Sequence, residues 1–283
     1  MNECDSPLPG GPTTQPGGPI GQPPVIDAHA HIFTRDMPLA PRAWTRPDYD
    51  FTAEQYLAAL DEHGVAFGVI SAATLFGDYN EYTLEALRRH RRLRATVIVQ
   101  PGTDRPTLAR MAAWGVVGVR LPLRHLTQLP DLRDESYQRL FKCLADLGLH
   151  VELLAHGADL PAVLPLIEAS GVTLVIDHFA DPDRQLGIES PGFIAALRSL
   201  DSGRTLIKIS AGMRLNREVA KACARRLLAV AGTERLLWGS DAPFVGHEHR
   251  PPYAAALRLF EELVPDAGQR YAIGLTALRQ FFF

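Results

Sequence analysis

The chain has 283 residues, of which 46% are hydrophobic and 22% charged, and its formal net charge is -3. That suits one sizeable domain and excludes a general attraction to nucleic acid or to an anionic membrane surface. Its three cysteines, Cys4, Cys143 and Cys223, lack CxxC spacing, which argues against a disulfide framework and against a thiolate zinc site.

Residues 1–23 are rich in Pro, Gly, Thr and Gln, so a disordered tail is expected there, with a folded domain over 24–283. The tail has neither the basic start nor the apolar run of a signal peptide. No run of about 18 apolar residues follows, and a cytoplasmic location is expected. From Pro24 onward, short apolar runs alternate with amphipathic ones. Strands are expected at Val25–His31, Phe67–Ala73, Ala95–Val99, Val116–Leu121, His150–Ala155, Thr173–Asp177, Thr205–Ile209 and Leu236–Ser240. Their Val, Ile and Leu content suits parallel strands buried on both faces. Helical periodicity falls between them, over 52–63, 80–92, 104–114, 134–147, 159–170, 190–200, 215–231 and 252–264. Gly64, Gly115, Gly148, Gly171 and Gly232 stand where helices end on a left-handed residue. Eight β–α units predict an α/β fold, a single-domain (β/α)8 TIM barrel, whose chemistry sits at the C-terminal ends of its strands. A doubly wound sheet is the competing architecture, but Ala28-His29-Ala30-His31-Ile32 is not a phosphate-binding glycine loop.

The first strand ends Asp27-Ala28-His29-Ala30-His31. Strict alternation puts 27, 29 and 31 on one face, with Ala28 and Ala30 toward the helices. Two imidazoles one pleat apart can converge on one ion or one substrate oxygen. Asp241 closes the apolar run of the eighth strand, where an unpaired carboxylate is costly. Beside His29 and His31 it would serve as a general base or a metal ligand. His178 ends the sixth strand and can polarise a carbonyl or hold a metal. His156, after the fifth, either enters the pocket or caps its loop. Arg120, Arg124 and Arg214 lie near strand ends, where guanidinium forks suit carboxylates. Arg120, inside an apolar strand, needs an anionic partner. The run from Arg88 to Arg94 reads as a solvated helix end rather than a nucleic-acid patch.

Taken together, these segments resemble the amidohydrolase family, and within it the branch of 2-pyrone-4,6-dicarboxylate and sugar-acid lactonases. The resemblance spans nearly all of the chain after the tail. It rests on Asp27–Phe33, Gly118-Val119-Arg120, Val175–His178 with Asp181-Pro182-Asp183, and Leu237–Pro243. It implies a hydrolase that opens a carboxylated lactone during aromatic degradation. In that scheme Asp241 activates water, and His29, His31 and His178 surround the lactone carbonyl. Arg120 and Arg214 hold substrate carboxylates, Arg124 stands in for a second loop arginine near Leu126, and Ser71 or Thr74 adds a hydrogen bond. The sequence departs from the pattern at Leu154, where that lactonase has a tyrosine, and at Ala242 and Phe244, which replace a tryptophan and a histidine. The resemblance implies carbonyl chemistry without a metal, so no cofactor is favoured, and a two-metal site is further opposed because no lysine ends the fourth or fifth strand to bridge the ions. The alternative is one zinc on His29, His31, His178 and Asp241, in a decarboxylase of the aminocarboxymuconate semialdehyde type or an amidohydrolase. The expected partner is a small anionic substrate, with no nucleic acid and no membrane, and the chain is expected as a monomer or homodimer.

Overall fold

In a computed structural model of the chain, residues 25–246 and 253–283 are described, and the expected tail over 1–23 lies outside them. Eight parallel strands form one sheet in sequence order. They are β1 (Val25–Ala30), β2 (Val65–Ile70), β3 (Leu93–Val97), β4 (Val116–Pro122), β5 (His150–Leu154), β6 (Leu174–Ile176), β7 (Thr205–Ser210) and β8 (Leu236–Gly239). The helices are α1 (Ala53–Glu62), α2 (Glu81–Arg89), α3 (Arg105–Ala113), α4 (Glu135–Asp146), α5 (Leu160–Glu168), α6 (Pro191–Ser199), α7 (Arg217–Ala231), α8 (Tyr253–Leu263) and α9 (Ala267–Phe282). This is the TIM barrel the alternating pattern predicts. The five glycines expected at helix ends all take positive φ.

β1 and β8 meet at the seam. The Asp241 amide donates to the His29 carbonyl at 2.8 Å, and the His31 amide donates to the Ala242 carbonyl at 2.7 Å. Alternation along the strands sorts the side chains. Leu174, Ile176, Ile207, Ile209, Leu236 and Trp238 join the large core that includes the helices. Ile26, Ala28, Val69, Val175, Leu206 and Leu237 pack together inside the barrel, against Ala277 and Phe281 of α9. Thus α9, absent from the expected elements, plugs one end of the barrel. Its cue was present in the sequence: Asp266 caps it by accepting from the Gln269 amide at 2.8 Å, and Ile273, Ala277 and Phe281 recur every four residues.

One expectation about β1 is overturned. Asp27 pairs with Gly68 but Ala30 pairs with Ile70, so one residue too many lies between them. This bulge breaks the alternation. Ala28 therefore faces the barrel interior, not the helices, and His29 and His31 still turn inward beyond it. Asp27 is left on the outer side. Its carboxylate accepts from the Ser240 amide (2.8 Å), the Ser240 hydroxyl (2.6 Å) and the Tyr253 hydroxyl (2.9 Å). The basic run lies outside the barrel, where Arg89 pairs with Glu85 and Arg92 with Asp61.

Candidate active site

The interior of the barrel changes from apolar to charged along its length. Above the Ile26–Leu237 cluster lies a buried ionic layer built from inward positions of β4, β5 and β7, with Asp177 from the end of β6. The Arg120 guanidinium is 3.0 Å from Glu152 and 2.8 Å from Asp177, and donates to the Ala72 carbonyl at 2.7 Å. The Lys208 ammonium is 2.6 Å from Glu152 and 3.2 Å from Asp177. All four side chains are almost wholly buried. Burial alone would raise the Asp177 carboxyl, but Lys208, His29 and Arg120 hold it well below the usual carboxylate range. The expected anionic partner of Arg120 is therefore internal. Ser71 also belongs to this layer: its hydroxyl donates to Glu152 and it is fully buried.

On this layer rest the three histidines. The Nε2 atoms of His29, His31 and His178 lie 3.7, 3.5 and 3.8 Å from one oxygen of Asp241, Oδ1. The other oxygen, Oδ2, accepts from Arg214 at 2.5 Å. Asp241 Oδ1 and His29 Nε2 have no hydrogen-bond partner and are buried. Four polar atoms thus face one small space. Local backbone makes this convergence possible. Asp241 adopts φ 66°, and His178, Phe179, Ala180 and Asp181 form a run of positive φ from 46° to 62°. Such conformations are costly for non-glycine residues and concentrate at functional sites. Room for His29 comes from Gly239, where a Cβ would stand 2.4 Å from the His29 Cβ.

Electrostatics fix the charge states. Burial would raise the Asp241 carboxyl, but Arg214, His178, His31 and His29 hold it well below the usual range. Burial, with Lys208 beside it, pushes His29 down to about 3. Burial also lowers His178 well below an ordinary imidazole, against the pull of Asp241. Near neutral pH the site holds a carboxylate facing uncharged His29 and His178 rings.

Above the histidines opens a cleft of about 710 Å³. Arg124, His156, His178 and Arg214 line it, together with Trp44 and His125, whose rings stack at 5.7 Å. A pocket of about 40 Å³ shares Trp44, His125, His178 and Arg214 with the cleft and adds His31, Thr74 and Arg120. Arg124 pairs with Asp181 at 2.7 Å, and His156 lies 3.6 Å from the same carboxylate. The structure thus brings His29, His31, His178, Asp241 and Arg214 together. It places Thr74, Arg120, Arg124 and His156 on the walls and Ser71 beneath. Sequence reasoning missed the roles of Glu152 and Lys208, and of Ser210, whose hydroxyl lies 2.8 Å from His178 Nδ1. The available signal was a charged residue at an inward position of an apolar strand, as in Leu206-Ile207-Lys208-Ile209, where an unpaired charge is prohibitive.

Donor atoms of His29, His31 and Asp241 lie within 4.8 Å of one another, so spacing alone admits one metal ion. Ligation also requires a bare ring nitrogen. His31 meets this condition, because its Nδ1 lies 2.8 Å from the Ser71 carbonyl, which can only accept. An Nδ1 hydrogen leaves Nε2 bare. At His29, Nδ1 lies 3.0 Å from the Lys208 ammonium, a donor, so the bonding at this histidine does not fit a metal ligand.

The family profile described as Amidohydrolase matches residues 26–283. A 2-pyrone-4,6-dicarboxylate hydrolase from Comamonas testosteroni is 27% identical over 263 residues, covering 86% of this chain and 85% of its own. A 4-sulfomuconolactone hydrolase from Rhizobium radiobacter is 27% identical over 261 residues, covering 87% and 86%. The crystal structure of a probable 2-pyrone-4,6-dicarboxylic acid hydrolase from Acinetobacter baumannii, with citric acid bound, superposes with a TM-score of 0.88 at 31% identity. That match covers 92% of this chain and 99% of the other.

Proposed function

The chain belongs to the amidohydrolase family, and from that membership we propose that it is a lactonase opening a small carboxylated or sulfonated lactone without a metal. The observation carrying this reading is the convergence of three imidazole Nε2 atoms on Asp241 Oδ1 at 3.5–3.8 Å, with Arg214 on Oδ2. The ring-opening hydrolases among its relatives support the substrate class.

A buried carboxylate held ionised is a base positioned for water. Water attacks the lactone carbonyl carbon while Asp241 Oδ1 takes one of its protons. The carbonyl oxygen gains negative charge as the new C–O bond forms, and an imidazole N–H facing it stabilises that charge. Collapse breaks the bond to the ring oxygen, which receives the proton from Asp241. The product is the ring-opened acid, and Asp241 is again a carboxylate. Arg214, whose Nε is buried without a hydrogen-bond partner, and Arg124 above it suit the anionic groups of the substrate. Thr74 and Arg120 line the foot of the same cleft, and His156 its rim.

A single zinc on His29, His31 and Asp241, with His178 beside them, is the competing reading. It is supported by spacing and opposed by the donor behind His29. In that reading zinc would supply a Lewis acid and the enzyme would be a decarboxylase or amidohydrolase.

Ring opening of 2-pyrone-4,6-dicarboxylate and of a muconolactone, followed by ultraviolet absorbance, tests the proposal. We expect turnover that survives exhaustive chelation and falls by about 10²–10⁴-fold in Asp241→Asn. Full turnover by that variant sinks the mechanism. Stoichiometric zinc whose removal abolishes activity favours the competing reading.

A further inference from the structure

We infer that Lys208 is a positioning residue that locks His29 in its Nε2–H tautomer, so that His29 enters the pocket as a hydrogen-bond donor while His31 beside it enters as an acceptor. The tautomer itself follows from the geometry alone. Only its use, donation to the developing oxyanion, rests on the proposed lactonase reading.

An ammonium carries three donors and no acceptor. Lys208 Nζ is fully buried, and three groups surround it: Glu152 Oε2 at 2.6 Å, His29 Nδ1 at 3.0 Å and Asp177 Oδ1 at 3.2 Å. Glu152 Oε2 and His29 Nδ1 are hydrogen-bonded to Nζ, Asp177 Oδ1 pairs with it by charge without a hydrogen bond, and the bond to His29 forms only if Nδ1 is bare. A hydrogen there would set two donors face to face in a site closed to water, a cost comparable to a lost buried hydrogen bond. Asp177 Oδ1 also lies 3.2 Å from His29 Nδ1 and would accept from it if Lys208 were not there. Lys208 therefore decides between two arrangements. An uncharged imidazole has one hydrogen, so with Nδ1 bare it sits on Nε2. That hydrogen points into the space in front of Asp241 Oδ1, 3.7 Å away.

His31 is wired the opposite way. The Ser71 carbonyl 2.8 Å from its Nδ1 can only accept, so an uncharged His31 presents a lone pair at Nε2. The two rings stand edge to face with centroids 5.0 Å apart. The pair that looks symmetric in the sequence is thus polarised: His31 and Asp241 offer lone pairs to water, and His29 offers a hydrogen to the carbonyl oxygen. The same wiring withholds from a metal one of the nitrogens it would need. Loss of the Lys208 donor should release that nitrogen by letting Nδ1–H turn to Asp177.

The test is the imidazole 15N–1H correlation spectrum of the full chain at neutral pH, which distinguishes bare from protonated ring nitrogens. Resonances are assigned by their loss in His29→Gln and His31→Gln. We expect His29 to be protonated at Nε2 and bare at Nδ1, with the reverse at His31. A His29 protonated at Nδ1, protonated at both nitrogens, or bound to a metal through Nε2 overturns the inference. Variants give a second arm. Lys208→Met should move the hydrogen to Nδ1, lower kcat by about 10²-fold with KM nearly unchanged, and increase zinc uptake measured by a competing chelator. Lys208→Gln keeps a donor without the charge and should retain the wild-type tautomer. An unaltered His29 pattern in Lys208→Met is contrary evidence. If neither variant folds, the wild-type spectrum decides. If no lactone is turned over, the lactonase reading falls, and the spectrum still decides the tautomer.

Discussion

At the scale of single residues, the Asp241–Arg214 contact governs the charge of the carboxyl that the proposed mechanism uses as its base. Two opposed effects act on this carboxyl: burial raises it, and Arg214, the largest of the opposing charges, lowers it. With Arg214 present Asp241 is ionised throughout the neutral range. Arg214→Leu leaves burial less opposed, so the acid limb of the kcat/KM profile should move up by about one pH unit or more. A profile that stays in place would mean Asp241 is not the base. His29, His31, His178 and Asp241 could be found from sequence because each is a polar residue ending an apolar strand. The destination of Arg120 was only half legible. Its need for an anion followed from burial, but Glu152 and Asp177 lie 32 and 57 residues further along the chain, and nothing local announces that pairing.

At the scale of elements, the β1 bulge turns Asp27 away from the histidines and toward β8 and α8. Its carboxyl is raised by burial, with Ser240, His29 and Tyr253 opposing that through hydrogen bonds. Ser240→Ala removes the 2.6 Å hydroxyl bond and should cost about 1–3 kcal/mol in urea unfolding, while Tyr253→Phe should cost less than Ser240→Ala because the Ser240 amide and hydroxyl still hold Asp27. Equal stability of wild type and Ser240→Ala would show that Asp27 is not part of the barrel's closure. Strand and helix cores were legible because apolar periodicity reports burial directly, and their ends moved by at most three residues. The bulge was not legible, since Asp-Ala-His-Ala-His satisfies alternation equally well without one. Nor was the left-handed run His178–Asp181, because no glycine marks it.

At the scale of the whole molecule, the polar interior makes the barrel sensitive to acid. His150 is buried inside it, its ring 5.4 Å from Phe281, with neither ring nitrogen hydrogen-bonded by its side chain geometry. Burial lowers it to about 4, and burial lowers His29 to about 3. Such groups bind fewer protons folded than unfolded, so stability rises with pH from each folded value up to the ordinary imidazole value of 6.5. The contribution of His150 is complete above about 6.5 and lost progressively as pH falls to about 4. The thermal midpoint should therefore drop between pH 7 and pH 5, and His150→Leu should shrink that drop; an equal drop in the variant would remove His150 from the account. The seam between β1 and β8 has a kinetic counterpart to this equilibrium. The strand ends that close the ring, at His29, His31 and Asp241, carry three of the four residues that converge in the proposed site. Any fluctuation that unzips the ring at that point dismantles the chemistry while seven strand pairings remain intact. Turnover should then fade at lower urea than far-ultraviolet circular dichroism does, making the enzyme an early-warning gauge of its own unravelling.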